Sequence, residues 1–157
     1  TGLAPGALKL EVTESVLNED DEMVNAAVSA LRERGIRLCI DDFGTGTSSL
    51  GHLHSFPVDT LKIDRSFVVP INDEGANSEI VRTIIAMARN LGLGVVAEGI
   101  ENEAQLHALK MLGCEKGQGF YFAKPMDRRE IHRFLVETVD LPLPPQLDDI
   151  PLVSTLQ

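Results

Sequence analysis

Five short apolar runs alternate with amphipathic stretches along this chain, and that alternation constrains the fold more than any other feature. The runs at 8–12, 36–40, 60–63, 94–97 and 119–123 have the length and character of strands. Between them lie helix-like stretches. Residues 20–34 are stopped by Gly35, and residues 78–91 carry Ile80, Ile84, Met87 and Leu91 at helical spacing before Gly92. A further helix is capped by Asn102, with Gln105 three residues on, and ends at Gly113. Asp127 and Glu130 open a last one that runs to about residue 139, and a short helix is expected near 49–54. Repeated strand-helix units with apolar strands imply an α/β fold, a parallel sheet covered by helices.

Two architectures remain, a closed barrel and an open doubly wound sheet, and the polar residues distinguish them. Each strand ends in a polar cluster: Glu11 and Glu14, Asp41 and Asp42, Lys62 and Asp64, Glu98 and Glu101, then Gln118 near the fifth strand. In a barrel the C-terminal strand ends converge on one mouth, where such residues meet; an open sheet spreads them along an edge. The expectation is a TIM-like (β/α) barrel. An eight-fold barrel needs roughly 250 residues, so five units read as about five of eight, incomplete at the N-terminus. Residues 1–139 form this partial barrel. Residues 140–157, with four of the eight prolines and no periodicity, form a tail or linker.

Carboxylates converging on one mouth repel one another unless cations lie between them. Hard oxygen donors suit Mg²⁺ or Mn²⁺, and no paired His or Cys ligands suggest zinc; His52, His54, His107 and His132 are isolated. Two such ions about 4 Å apart would clamp a phosphodiester for in-line hydrolysis. Lys62 beside them would stabilise charge or hold the attacking water. The net charge of −10 opposes a general nucleic-acid surface, though a small anion can still bind through a cation. No apolar run approaches the roughly 18 residues of a membrane span. Cys39 and Cys114 make no CxxC pair and read as buried thiols of a reducing, cytoplasmic compartment. Met87 and Met111 are expected to fill core, and Arg32, Glu33 and Arg34 to be solvated.

Five motifs now stand in order. They are Leu10-Glu11-Val12-Thr13-Glu14-Ser15, Asp41-Asp42-Phe43-Gly44-Thr45-Gly46, Leu61-Lys62-Ile63-Asp64-Arg65-Ser66-Phe67-Val68, Val96-Ala97-Glu98-Gly99-Ile100-Glu101 and Gly117-Gln118-Gly119-Phe120. The series resembles the EAL family of cyclic-di-GMP phosphodiesterases, bacterial enzymes that linearise this second messenger, over about residues 8 to 137. The resemblance implies Glu11, Asp41 and Asp42 as metal ligands, and Glu14 as anchor of the glycine-rich loop that couples metal, substrate and dimerisation. It implies that Lys62 contacts the nucleophilic water, that Glu98 is general base or metal-site carboxylate, and that Gln118 supports the site. Asp64 and Arg65 would serve structure and substrate contact, with Glu101 behind them. Cyclic-di-GMP is the implied ligand and a homodimer the implied assembly.

Two departures from the family pattern stand out. The Glu-x-Leu signature and an Asn ligand belong upstream of the matching segment, and Thr47 stands where the family carries Tyr. The expectation is that the chain by itself turns over little substrate and associates, while its parent, tethered or not by an upstream segment, is competent. The alternatives are a non-catalytic binding or dimerisation module and a Schiff-base lyase using Lys62. Surrounding acids keep a lysine charged, which opposes imine formation.

Overall fold

The structure, a computed structural model, describes residues 4–18, 22–46, 53, 56–71 and 75–138. Five parallel strands form one sheet: β1 (Lys9–Thr13), β2 (Arg37–Phe43), β3 (Thr60–Ile63), β4 (Gly94–Ala97) and β5 (Lys116–Gly117). The helices are α1 (Glu22–Glu33), α2 (Arg65–Val68), α3 (Ala76–Asn90), α4 (Glu103–Met111) and α5 (Arg128–Thr138), with 3-10 turns at Pro5–Ala7 and Glu14–Asn18.

Spatial order equals sequence order, β1-β2-β3-β4-β5, and every pairing is parallel. A doubly wound sheet reverses its order at a switch point, whereas this one never does. Successive right-handed crossovers in one direction place all helices on the same face, as in a barrel wall.

The two faces of the sheet differ in chemistry. Leu38, Ile40, Leu61, Ile63 and Ala97 join the core with Val28 of α1, Val81, Ile84, Ile85 and Ala88 of α3, and Ala108 and Leu109 of α4. The alternate residues point the other way. Glu11 registers with Cys39, Cys39 with Thr60, Lys62 with Val96, and Val96 with Lys116. Cys39 and Val96 are buried yet lie outside the helix-side core, as that register requires. The inner face is therefore largely polar, and Lys9 Nζ donates across it to Thr60 Oγ1 at 2.9 Å.

β3 and β4 lie where the apolar runs place them. The fifth strand does not: it is Lys116–Gly117, and residues 119–123 are a turn instead. Phe122 N and Ala123 N donate to Gly119 O, and Tyr121 N to Ile100 O, so these amides are satisfied without a ladder. The buried face of α3 is centred on Val81, Ile84, Ile85 and Ala88; Ile80 is 41% exposed. Met111 is 73% exposed and not core, since it sits in the last turn of α4, away from the sheet. Cys39 and Cys114 are buried and unpaired. The expected helix at 49–54, Thr47, His52, His54 and the 140–157 tail lie outside the described residues.

Candidate active site

The site grows from the C-terminal ends of β1 to β4. Strand alternation sends Glu11, Asp41 and Lys62 to the inner face, and Glu98 follows β4, its N–H donating to Ile63 O at 3.1 Å. Lys62 is 3% exposed and lies at the centre. Its Nζ meets Glu11 Oε1 at 2.8 Å, Asp41 Oδ1 at 2.8 Å and Glu98 Oε1 at 2.5 Å. Burial alone would lower the pKa of this lysine, but hydrogen bonds to Asp41, Glu11 and Glu98 outweigh it and the net shift is upward. Three carboxylates against Lys62 favour its charged form, which opposes imine formation.

Asp42 reaches the same mouth by an irregularity in β2. Consecutive strand residues face opposite sides, so two adjacent carboxylates ordinarily cannot share a site. Here the β2–β3 register slips between Ile40 and Phe43, and Asp42 takes a left-handed φ of 53°. A bulge re-aims a side chain in this way, and Asp is among the few residues that tolerate the conformation. Burial first, then the charges of Asp41 and Asp64, raise the Asp42 pKa. Asp64 shifts downward: burial opposes this, but hydrogen bonds from Ser66 and Arg65 overcome it. Asp64 Oδ1 accepts from Ser66 N at 2.9 Å, so this residue caps α2 beside the cluster.

Carboxylate oxygens of Asp41, Asp42 and Glu98 all lie within 4.8 Å of one another. Three hard, anionic oxygens at that spacing fit a small divalent cation of the Mg²⁺ or Mn²⁺ type. The grouping differs from the expected trio, since Glu98 joins Asp41 and Asp42 while Glu11 sits on Lys62. Glu98 also carries a raised pKa, from burial first, with Lys62 opposing.

The remaining predicted residues surround this centre. Glu14 Oε2 accepts from Gly44 N at 2.9 Å and Gly46 N at 3.2 Å, which ties the loop after β2 to the end of β1. A Cβ at position 46 would stand 3.0 Å from the Glu14 carboxylate, so glycine permits this anchor. Arg65 Nη2 and Glu101 Oε1 are 3.4 Å apart at the exposed rim and do not enter the cluster. Gly99, with φ 74°, lets the Glu98–Glu101 turn pass directly over Arg65. Gln118 follows β5; its N–H donates to Ala97 O at 2.8 Å and its carbonyl accepts from Ile100 N.

One residue read only as part of a cap does more. Gln105 is buried, and its Oε1 accepts from Glu101 N at 2.7 Å and Asn102 N at 3.3 Å. Its Nε2 donates to Val69 O at 3.0 Å, joining the turn after β4 to the end of α2. The capping spacing of Asn102 and Gln105 signalled the first contacts; the reach to Val69 has no sequence signature.

Comparison with known proteins agrees with this geometry. The EAL-domain family model matches residues 1–125. Cyclic di-GMP phosphodiesterase NbdA of Pseudomonas aeruginosa is 46% identical over 134 residues, which are 85% of this chain and 17% of NbdA. The EAL domain of Mycobacterium smegmatis DcpA superposes with a TM-score of 0.80 at 44% identity, covering 87% of this chain and 61% of that one. Klebsiella pneumoniae BlrP1, solved as a manganese/cyclic-di-GMP complex, gives a TM-score of 0.71 at 36% identity over 76% of this chain and 31% of its own. With its five parallel strands matching part of such barrels, the chain belongs to the EAL-domain family of cyclic-di-GMP phosphodiesterases.

Proposed function

We propose that the protein to which these residues belong hydrolyses cyclic-di-GMP to the linear dinucleotide with Mg²⁺ or Mn²⁺. The observation that carries this reading is the Asp41, Asp42 and Glu98 cluster standing against a buried Lys62. Asp41, Asp42 and Glu98, with Glu11 beside them, would hold the cation. When bound, it would polarise the phosphate and make a coordinated water more acidic. Glu98, half-desolvated and raised in pKa, is suited to take the proton of the attacking water. Lys62 fixes that carboxylate and can donate to the water or to a phosphate oxygen. As the new oxygen–phosphorus bond forms, the ester bond to the leaving ribose oxygen breaks, and the ring opens. Arg65, Asp64 and Gln118 border the mouth where the nucleotide would lie, and Glu14 holds the loop beside it.

A cytoplasmic setting agrees with two buried, unpaired cysteines, and the net charge of −10 opposes general nucleic-acid binding. Among the described residues no helix is long and apolar enough to cross a membrane. A homodimer is the proposed assembly. A second reading is a module that binds cyclic-di-GMP without turnover.

Assay of the full-length protein with cyclic-di-GMP and Mn²⁺ separates these readings. Hydrolysis that Asp41→Asn reduces by roughly a hundredfold or more, the scale on which misplaced catalytic groups cost rate, is the expected result. Binding without product favours the module, and hydrolysis unchanged in Asp41→Asn at saturating Mg²⁺ removes the ligand assignment.

A further inference from the structure

Lys62 and the candidate cation site use the same carboxylates. Asp41 and Glu98 belong both to the oxygen cluster and to the ammonium's contacts. An ammonium has three N–H donors. Glu11, Asp41 and Glu98 lie at 2.5 to 2.8 Å from Nζ, and the contact to Asp41 Oδ1 is a hydrogen bond. In this arrangement three carboxylates compete with any water or phosphate oxygen for the N–H groups of Lys62.

The three carboxylates come from β1, β2 and the residue after β4, segments that only the fold brings together. Removing the charge between them would leave like charges facing one another at short range in a partly desolvated mouth, which is strongly unfavourable. The lysine is 3% exposed and its partners are partly buried, so bulk water screens this contact only in part.

We propose that Lys62 takes the place of the cation in the metal-free protein and competes with it when it binds. The inference rests on the metal reading above and extends it. A divalent ion on Asp41, Asp42 and Glu98 draws two of the three acceptors away from Nζ. The N–H groups so freed would be available to the nucleophilic water and the phosphate. Lys62 therefore becomes available to substrate only once metal is loaded, which couples the order of binding to one side chain. The same contact keeps the acidic strand ends together before loading.

Mn²⁺ titration of the 157-residue chain, by calorimetry or by the free-ion electron paramagnetic resonance signal, tests the competition. Lys62→Met is expected to bind Mn²⁺ on the order of tenfold more tightly than the parent sequence, because a competing charge has gone. Its melting temperature in chelator is expected to fall, and Mn²⁺ to restore most of the loss. Equal or weaker Mn²⁺ affinity in Lys62→Met overturns the proposal, since a lysine that merely positions ligands would help the metal. If Lys62→Met does not fold in chelator, the double variant Lys62→Met/Glu11→Gln, with one carboxylate charge fewer, is expected to recover folding and to keep the tighter binding. A double variant no more stable than the single one also overturns it. Absence of Mn²⁺ binding in all three proteins overturns the competition, whereas the metal reading itself is judged by the full-length assay above.

Discussion

Asp42 and the two cysteines show how much a single position can depend on its surroundings. Asp41 and Asp42 share one mouth only because β2 slips register and Asp42 accepts a left-handed backbone. Cys39 lies on the inner face and Cys114 under α4, and desolvation chiefly raises their pKa from 9.0, to about 12 and about 11. Both thiols are therefore neutral in the fold and ionise more easily in the unfolded chain. Their contribution to stability is complete well below pH 9 and is lost as pH rises from about 9 toward 12, by about 7 kcal/mol at most for the two together. Urea unfolding across this window is expected to show falling stability, with a shallower slope in Cys39→Ala/Cys114→Ala. Identical slopes would mean that lysine and tyrosine titration account for the loss. That Glu11, Asp41, Lys62 and Glu98 would meet was legible in the sequence, because they stand at or just past the ends of successive parallel strands. Their partnership was not. Which acids touch Lys62 depends on strand register, and nothing local to Glu11, Asp41 or Glu98 marks them for the ammonium.

Elements were legible where local chemistry and tertiary packing agree. β3 and β4 match their apolar runs residue for residue, since both strands are central and their helix-side residues enter the core. The last strand failed because Phe120, Tyr121 and Phe122 have strand propensity, yet the chain turns at Gly119 and satisfies its amides locally. The start of α4 was legible through its capping pair, and the structure adds a tertiary bond to it. Asn102 Oδ1 accepts from Gln105 N at 3.0 Å, while the Gln105 side chain serves Glu101, Asn102 and Val69. Gln105→Leu would keep the volume but leave those backbone groups without a protein partner, at a cost of about 2 kcal/mol. Asn102→Ala removes only the cap, at about 1 kcal/mol. Chemical denaturation of both variants is expected to rank Gln105→Leu as the more damaging. The reverse order would show that the bond to Val69 contributes little and that α4 is held by its cap alone.

At the scale of the whole molecule, the sheet has two ends and a strong overall charge, and these act against each other. Among the described residues β1 pairs only with β2, and β5 only with β4, so each outer strand offers unpaired backbone groups to another chain. Apolar side chains flank both ends: Leu8 beside β1, and Phe120 and Tyr121 after β5, are all more than 40% exposed. Edges with such neighbours favour strand addition or exchange between copies. The net charge of −10 opposes close approach of two identical chains, and salt shortens the range of that repulsion to about 8 Å at physiological ionic strength. The 157-residue chain is therefore expected to associate, more strongly as salt is raised. Light scattering on fractions from size-exclusion chromatography, repeated at low and at physiological ionic strength, measures this directly. Dimers or larger species that grow with protein concentration and with salt are the expected outcome. A monodisperse monomer under both conditions would mean that residues outside those described cover the edges, and association weakened by salt would mean that oppositely charged patches, rather than strand edges, bring the copies together.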